Sequence, residues 1–235
     1  MINKKNLKKY FKIEYEGKFL KLMSPRAQNF IRINKKFELD EDVATLAGLM
    51  PDGSLIKDLR RIYFGQKKDI RKVYLFKKLI IKLFRPNNKI FIRQGCNVLE
   101  AYTNSKTLAI FYHKILEIPK SDQQMRVPPW IFKSSKKVKI AYLKQAFDME
   151  GTILKRLYEI RFITKDKKFA FDLKRLLLQL NITSFVNERI GGTHKTIQYR
   201  LSIYSKANFI KFKEIGFSVP FNKKRFENLV KKYKI

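Results

Sequence analysis

The stretch TLAGLMPDGSLIKDL, residues 45–59, recurs in outline as KQAFDMEGTILKRL, residues 144–157, and this repetition decides the fold. Moving one stretch along by 98 positions, with no gap, aligns Asp52 with Glu150. A glycine and then a small hydroxyl residue follow each acid, and the apolar alternation behind them stays in one register. Short basic stretches coincide easily by chance, but this combination does not. The sequence therefore predicts two related domains in one chain.

Each copy is predicted to run helix, hairpin, helix, hairpin, helix. In the first copy, Asp40 or Asp42 can cap a helix that extends to about Pro51, and Gly53 stands where a left-handed residue commonly ends a helix. The later elements of the first copy are expected to be a strand at 59–64, a helix at 69–84, a hairpin around 95–97 and a helix at 105–117. Those of the second copy are expected to be strands within 152–163, a helix at 167–180, a hairpin around 191–192 and a helix at 205–214.

The balance of charge indicates a polyanionic partner. Lysine and arginine number 53 against 20 aspartates and glutamates, which gives a formal net charge of +33 over 235 residues. Such self-repulsion is most naturally offset by nucleic acid, with an anionic membrane surface or a basic ribosomal role as alternatives. Because 45% of the residues are apolar, the chain can also bury a substantial core, so disorder is not expected as its main state.

The scarcity of sulfur and imidazole side chains limits the metal chemistry. Cys96 cannot form an internal disulfide, and with His113 and His194 as the two histidines the usual ligands of structural zinc are too few. A catalytic metal is therefore expected on oxygen ligands, which favours magnesium-like ions. The opening residues lack a signal-peptide core and no stretch has the length of a membrane span, so we expect an intracellular protein that is not secreted and has no membrane partner.

Both matched acids are predicted to lie at the C-terminal end of a helix. Unpaired carbonyls and the negative end of the helix dipole gather there, so an anionic side chain is unfavourable unless a cation is bound. If the two helices pack side by side, Asp52 and Glu150 converge as hard-oxygen ligands. An ordinary Pro-Asp-Gly turn is the alternative for Asp52 alone, but turn chemistry does not select the matching Glu150. The two acids are the predicted metal ligands.

The segments LAGLMPDGS and LKQAFDMEGTI resemble the two copies of the LAGLIDADG motif of homing endonucleases, here of the single-chain type encoded by archaeal and organellar introns. The resemblance covers most of residues 41–225. It implies an α+β fold of two pseudo-symmetric αββαββα domains with antiparallel β-saddles, packed through the two motif helices. The family's usual glycine five positions before the acid is Ala47 in the first copy and Gln145 in the second, although Gly48 and Ala146 follow them.

The resemblance also implies the activity and its residues. Such enzymes bind a long asymmetric site in double-stranded DNA and make a staggered double-strand break by metal-dependent hydrolysis of phosphodiester bonds. Magnesium is the expected ion, with manganese as a substitute and with calcium supporting binding without cleavage. The family keeps basic and amide residues around the two metal-binding acids, which gives the expected catalytic residues Asp52, Glu150, Gln66, Lys67 and Lys165.

Strand alternation selects the expected DNA contacts. If the apolar residues of each strand face the covering helices, the intervening residues, Glu159 among them, face the major groove. Lysines near the motif ends are instead expected to touch phosphates, which position the protein without specifying sequence. The expected DNA contacts are Lys57, Arg61, Tyr63, Arg93, Lys155, Arg161, Arg189, Gln198, Arg200 and Ser202. In the last strand Tyr199, Leu201 and Ile203 are expected to be buried.

Four segments are expected: a basic N-terminal extension at 1–40 that adds a phosphate-binding arm, a first domain at 41–117, a linker at 118–137 and a second domain at 138–235. Since both motif copies lie in one chain, a monomer is expected. A DNA-binding regulator without cleavage, an intron RNA maturase and a basic ribonucleoprotein subunit are the alternatives. An intein origin is not expected, because the chain starts with Met and lacks a His-Asn-nucleophile ending. Retention of both acids favours the nuclease, since a pure binder gains by losing negative charge beside phosphate.

Overall fold

The computed structural model describes residues 4–67, 69–95, 97–154, 158–191 and 195–233, and within them the chain forms three antiparallel sheets. One sheet precedes the first motif, and each motif copy has a four-stranded sheet of its own. None of the helices in these ranges is long and apolar enough to cross a membrane.

The segment before the first motif is part of the folded body. It contains α1 (Lys4–Lys8) and the strands β1 (Lys12–Glu16), β2 (Phe19–Met23) and β3 (Phe30–Asn34), in the order β1-β2-β3. Ile31, on one face of this sheet, is fully buried. On the opposite face Lys21 lies 2.8 Å from Glu14, and Arg32 lies 2.6 Å from Glu16. The segment is therefore a folded sheet that packs one face into the core, and its role in binding phosphate stays a prediction.

The first motif copy spans α2 (Glu41–Leu49), a 3-10 turn (Met50–Asp52), β4 (Gly53–Leu55), β5 (Ile62–Gln66), α3 (Arg71–Phe84), β6 (Phe91–Gln94), β7 (Leu99–Thr103) and α4 (Lys106–Lys114). Asp40 is the N-cap of α2 and accepts a hydrogen bond from the Val43 amide at 3.0 Å. The apolar face of α3 covers the sheet, with the rings of Phe76 and Phe64 stacked at 5.3 Å between centroids. The predicted order of elements in this copy is confirmed.

A linker with the short helix α5 (Pro129–Phe132) leads to the second copy. That copy spans α6 (Lys136–Glu150), β8 (Gly151–Leu154), β9 (Glu159–Thr164), α7 (Lys167–Leu178), β10 (Phe185–Gly191), β11 (Thr196–Ile203), α8 (Lys206–Phe212) and α9 (Pro220–Lys232). Its sheet order, β8-β9-β11-β10, repeats the order β4-β5-β7-β6 of the first sheet. The α+β class, with two antiparallel sheets of the same topology, is confirmed.

The motif helices α2 and α6 pack directly against each other. They approach closely at Gly48, where an added Cβ atom would lie 2.5 Å from the carbonyl oxygen of Tyr142 and 2.9 Å from the Cβ of Gln145. Contacts this short would force the backbone of α6 to move, so glycine is required here for space. The small residue that permits the crossing is thus Gly48, one position after the Ala47 that aligns with the family's usual glycine.

Two local predictions were wrong. Gly53 has an extended backbone (φ −104°, ψ 176°) instead of a left-handed one, because the chain passes from the 3-10 turn straight into β4. Gly151 makes the same passage from α6 into β8. The strand expected over 59–64 begins only at Ile62, since Leu59 lies in the preceding turn with φ 57°. Both acids therefore stand immediately before an edge strand of their sheet.

Candidate active site and nucleic-acid interface

The two acids lie at adjacent ends of the motif helices. Asp52 closes the 3-10 turn and is half-buried, and that turn packs against α6, whose last residue is the exposed Glu150. Gln66, at the end of β5, donates a hydrogen bond from its side-chain amide to the Asp52 carboxylate. The same nitrogen lies 3.4 Å from the sulfur of Met149, the residue before Glu150. Gln66 thus bridges the two helix ends, and three of the residues predicted for catalysis lie together.

A cleft of about 630 Å³ opens beside this bridge. It is bounded by the end of α6, the start of β8 and the first turn of α9, and its lining includes Gln66, Glu150 and Asn222. The Asn222 side chain donates a hydrogen bond to the carbonyl oxygen of Gly151 at 2.9 Å, which ties α9 to the residue after Glu150. The exposed Glu150 therefore borders a space large enough for a phosphodiester group.

The oxygen donors at the helix ends fit a hard divalent cation. Among the residues that the structure describes, no three or more His, Cys, Asp or Glu side chains are grouped for metal binding. Asp69 and Asp148 also line the cleft and form ion pairs with Arg71 and Lys72, and the acids at the two helix ends are the candidate metal ligands. Cys96 and His194 lie outside the described residues. Magnesium keeps several waters and is usually bound through one or two carboxylates together with phosphates. The donor set matches that preference and differs from the nitrogen and sulfur ligands of structural zinc.

The two lysines predicted to assist catalysis lie just beyond the strands. Lys67 follows β5 and Lys165 follows β9, and both side chains are exposed. Thr164, which matches Gln66 in the second copy, accepts a hydrogen bond from the Asp166 amide at 3.1 Å. Gln66 and Thr164 therefore have different partners, and a catalytic role for the two lysines stays a prediction.

The outward face of the first sheet, opposite α3, carries aromatic and basic side chains. Tyr63 is 36% exposed and pairs across the strands with Tyr102, whose ring stacks on that of Phe91 at 5.3 Å between centroids. The guanidinium carbon of Arg61 lies 5.2 Å from the Tyr102 ring centroid, and its Nε donates a hydrogen bond to Asn104 at 2.7 Å. Sequence reasoning missed Tyr102 and Phe91, although strand alternation places both on the face of Tyr63.

Other predicted contacts of the first copy are exposed but already have acidic neighbours. Arg93 forms an ion pair with Glu100 at 2.7 Å on the outward face. Lys57 lies between β4 and β5, 3.9 Å from Asp122, with most of its side chain in solvent. Its counterpart Lys155 lies outside the described residues.

The outward face of the second sheet is more polar. Arg189 of β10 and Gln198 of β11 are cross-strand partners, and Arg200 lies two residues further along β11. All three are half-buried, and the Nε atoms of both arginines are buried without a hydrogen-bond partner among the described residues. Buried donors of this kind are costly until they are paired. These three predicted contacts therefore lie together, and both arginines have a donor that the described residues do not pair.

The neighbouring part of this face is closed, which corrects two predictions. Ser202 was expected to face the groove but is fully buried, and its hydroxyl donates a hydrogen bond to Glu159, which is also buried. Arg161 forms a two-point ion pair with the same carboxylate, at 2.6 and 3.0 Å, so 12% of its side chain remains exposed. Burial alone would raise the pKa of Glu159, but the bonds from Arg161 and Ser202 hold that pKa below its usual value. Tyr199, expected to be buried, is half-buried.

The second copy matches a known domain family, and the whole chain has a known fold. Residues 137–216 match the family model of the LAGLIDADG-like domain. The second copy is therefore a LAGLIDADG-like domain, and the fold of the chain is that of LAGLIDADG homing endonucleases, as the repeated motif predicted. Its structure is similar to that of the homing endonuclease I-DmoI in complex with DNA and Ca, with a TM-score of 0.58 and 21% identity over 81% of this chain and 98% of that one.

Two further similarities set the scope of that comparison. The full-length DUF199/WhiA protein of Thermatoga maritima shares the fold, with a TM-score of 0.53 and 14% identity over 84% of this chain and 62% of that one. The probable translation initiation factor IF-2 of Methanocaldococcus jannaschii is 25% identical over 213 residues, which are 88% of this chain and 18% of that protein. Three other curated relatives are matched over 8 to 23% of their length. The chain thus spans less than a quarter of each of these curated relatives.

Proposed function

We propose that the chain is a site-specific DNA endonuclease of the homing type. It binds double-stranded DNA at a long asymmetric site and hydrolyses one phosphodiester bond in each strand, leaving a staggered double-strand break. The observation that carries the proposal is the placement of Asp52 and Glu150 at adjacent helix ends, joined by Gln66 and flanked by two sheets with basic outward faces.

Asp52 and Glu150 are the residues that would hold divalent cations, with Mg²⁺ expected and Mn²⁺ as a substitute. A bound ion of this kind stabilises charge on the phosphoryl group and lowers the pKa of water. The protein's own part is to fix the two carboxylates. Gln66 does so for Asp52, because a carboxylate that accepts a hydrogen bond from a held amide keeps its orientation. Lys67 and Lys165 would approach the cleavage site from opposite halves and assist one strand each.

The two sheets would supply affinity and sequence preference. A net charge of +33 gives a large phosphate-binding contribution that weakens as salt concentration rises. Arg189, Gln198 and Arg200 in the second sheet would contact base edges, because their side chains lie together on the outward face. Arg61 and Tyr63 would do so in the first sheet. The exposed lysines between strands would contact phosphates, which fix the register of the protein on DNA.

The comparisons support double-stranded DNA as the partner. I-DmoI, whose fold this chain shares, is described in complex with DNA and Mn, and a variant of it in complex with its target DNA in the presence of Mg. The activities of the sequence relatives give no support for the function of this chain, because the matched segment is a small part of each. Since one chain contains both motif copies and both acids, we propose that it acts as a monomer.

Cleavage of a defined DNA tests the proposal. The purified chain is incubated in Mg²⁺ with DNA of its own coding locus, joined without the intervening element and labelled on each strand. The control is the double variant Asp52→Asn with Glu150→Gln, which removes both charges and keeps the side-chain shapes. We expect cuts at one fixed position in each strand that the control does not make. Tight DNA binding without cuts would indicate a regulator, and preferential binding of intron RNA would indicate a maturase.

A further inference from the structure

A buried lysine of the first motif copy contacts residues of the second copy close to Glu150. Lys72, in the first turn of α3, is 4% exposed, and its ammonium lies 2.6 Å from the carboxylate of Asp148. The same ammonium donates hydrogen bonds to the side-chain oxygen of Gln145 at 2.5 Å and to the Ser218 hydroxyl at 2.8 Å. An ammonium has three N–H donors, so all of them are used. Lys72 therefore joins α3 to the C-terminal part of α6 and to the segment before α9.

Asp148 is the centre of this network. Its side chain is fully buried, and besides Lys72 it accepts hydrogen bonds from the backbone amides of Ser218 at 2.8 Å and Val219 at 3.3 Å. The Ser218 hydroxyl contacts the same carboxylate. A buried ion pair with every polar atom satisfied is held in one geometry, because removing either partner leaves an uncompensated charge in the interior. The network thus fixes the last turn of α6 against two other elements.

The network ends two residues before Glu150, and a second set of contacts begins directly after it. The hydrogen bond from Asn222 to the Gly151 carbonyl holds that side. Gly151 itself has no room for a side chain, since an added Cβ would lie 2.3 Å from the carbonyl oxygen of Phe147. The backbone is therefore held on both sides of Glu150 by groups other than the acid itself.

The positions that correspond to Lys72 and Asp148 in the repeat hold different residues. Met50 stands 98 residues before Asp148, at the matching position of its motif. The burial pattern of α3 recurs in α7 with an offset of 97, which makes the buried Phe169 the counterpart of Lys72. Both counterparts are apolar. The ion pair therefore lies beside the acid of the second copy, and the described residues at its two counterpart positions carry no charge.

We propose that Lys72 and Asp148 are positioning residues for Glu150 and hold the end of α6 where that carboxylate receives a divalent ion. A ligand whose backbone drifts loses metal affinity even when its carboxylate is intact. The proposal rests on the proposed endonuclease function. Its structural part, the rigidity of the chain around Glu150, is measurable without cleavage.

Two double variants test the proposal. Lys72→Met with Asp148→Leu removes both charges together, so that neither is left unpaired in the interior. Arg126→Met with Asp172→Leu is the matched control, because it removes another ion pair between distant segments, at 2.5 Å, without touching either acid. Wild type and both variants are compared by amide hydrogen exchange without metal or DNA, by DNA binding in EDTA, and by cleavage over a Mg²⁺ titration.

Exchange at residues 148–152 should be faster in the Lys72 and Asp148 variant, while residues 50–54 stay unchanged and the control resembles wild type in both segments. The Mg²⁺ concentration for half-maximal cleavage should rise about tenfold, with DNA affinity in EDTA unchanged. Unchanged exchange at residues 148–152 overturns the positioning role, whether or not the wild type cuts. If the wild type does not cut but exchange changes as expected, the rigid end of α6 is supported and only the endonuclease function is refuted.

A milder variant covers the case in which the double variant does not fold. Ser218→Ala removes one hydroxyl from the network and leaves the charges paired, so the same changes are expected in the same direction and with smaller size. If Ser218→Ala alters neither the exchange at residues 148–152 nor the Mg²⁺ requirement, the ion pair serves stability alone and the positioning role is wrong.

Discussion

The two halves of the molecule carry their acids on one scaffold but end their motif helices differently. In the first half α2 stops before Pro51 and a 3-10 turn presents Asp52, whereas α6 stays helical as far as Glu150. The side chain of Gln66 holds Asp52 directly, whereas Glu150 is flanked by the buried Asp148 and its partners. A duplicated site can thus keep its acids in place while the residues that hold them diverge.

The outward faces of the two sheets have diverged as well. Across the first sheet one row of paired residues is Ser54, Tyr63, Tyr102 and Phe91, and the corresponding row of the second sheet is Thr152, Arg161, Ser202 and Phe185. The centre of the first row is aromatic, and the centre of the second consists of two residues that donate hydrogen bonds to Glu159. Two half-sites of different sequence are the expected targets.

Removing the charge of either acid should have the largest effect on cleavage, and the effect should be similar in the two copies. Asp52→Asn and Glu150→Gln keep the shape but remove the charge that holds a divalent ion, so each should slow cleavage by about three orders of magnitude or more. DNA binding in Ca²⁺ or EDTA should persist, because a charge that repels phosphate has gone. Cleavage assays in Mg²⁺ beside gel shifts measure both. A variant that cuts at the parent rate would show that its acid is not a metal ligand.

Substituting the small residue of each motif helix at the crossing should destabilise the protein by different amounts in the two copies. Gly48→Ala places a methyl against the Tyr142 carbonyl and should destabilise the fold by about 3 kcal/mol, the upper end of the usual range for overpacking. Ala146→Gly, at the matching position of α6, should cost only about 1 kcal/mol of helix propensity. Denaturant unfolding of both variants gives the comparison. Equal losses would mean that the crossing is not limited by space at Gly48.

Removing the side chain of Gln66, which bridges the two helix ends, should have the next largest effect. Gln66→Ala frees the Asp52 carboxylate and should slow cleavage by about tenfold or more, whereas Thr164→Ala should do much less because Thr164 bonds the Asp166 amide instead. Single-turnover cleavage rates at saturating protein separate this effect from binding. Similar losses in the two variants would contradict the difference in support between the halves.

Losing a base contact and losing a phosphate contact should weaken DNA binding by similar amounts. The two losses should differ in how they are distributed over target sequences. Arg61→Ala and Arg200→Ala should lose about 1–3 kcal/mol of discrimination at particular base pairs, one in each half-site. Lys57→Ala should weaken binding evenly across sequences and lower the salt dependence by about one released counterion. Binding to a panel of singly substituted targets measures this. Even losses for all three variants would show that the assignment of outward faces is wrong.

The smallest expected effect concerns the two exposed lysines beyond β5 and β9. Lys67→Met and Lys165→Met should slow cutting more than they weaken binding, and each should favour a different strand because each lysine belongs to one half. The ratio of nicked to linear plasmid over time, with strand-specific labels, gives the result. Unchanged rates in both variants would reduce these lysines to phosphate contacts.

The order of elements could be predicted from the sequence because the pattern of each helix and strand occurs in both motif copies. Local geometry could not. Gly53 follows an acid at a helix end, a pattern typical of a left-handed cap, yet its backbone is extended and an added Cβ would lie 3.1 Å from the side chain of Met50. The glycine there serves close packing, which depends on a neighbouring side chain and leaves no mark in the periodicity.

The candidate site divides in the same way. The repeat was enough to single out Asp52 and Glu150, and strand alternation put Ser202 on the outward face, but its burial depends on Glu159 in another strand. Lys72 is one of 53 basic residues in the sequence, and Asp148, its partner, lies 76 positions away. A lysine at the start of a helix is usually solvated, so only the tertiary structure distinguishes this one.

The unequal crossing of α2 and α6 has made the halves non-interchangeable. A dimer of two second halves would set Ala146 where Gly48 meets a backbone carbonyl, and would bury Asp148 beside Phe169 without any ammonium. A dimer of two first halves would bury Lys72 without its carboxylate. A graft of one motif copy onto another scaffold must therefore include both Lys72 and Asp148, although they lie in different copies.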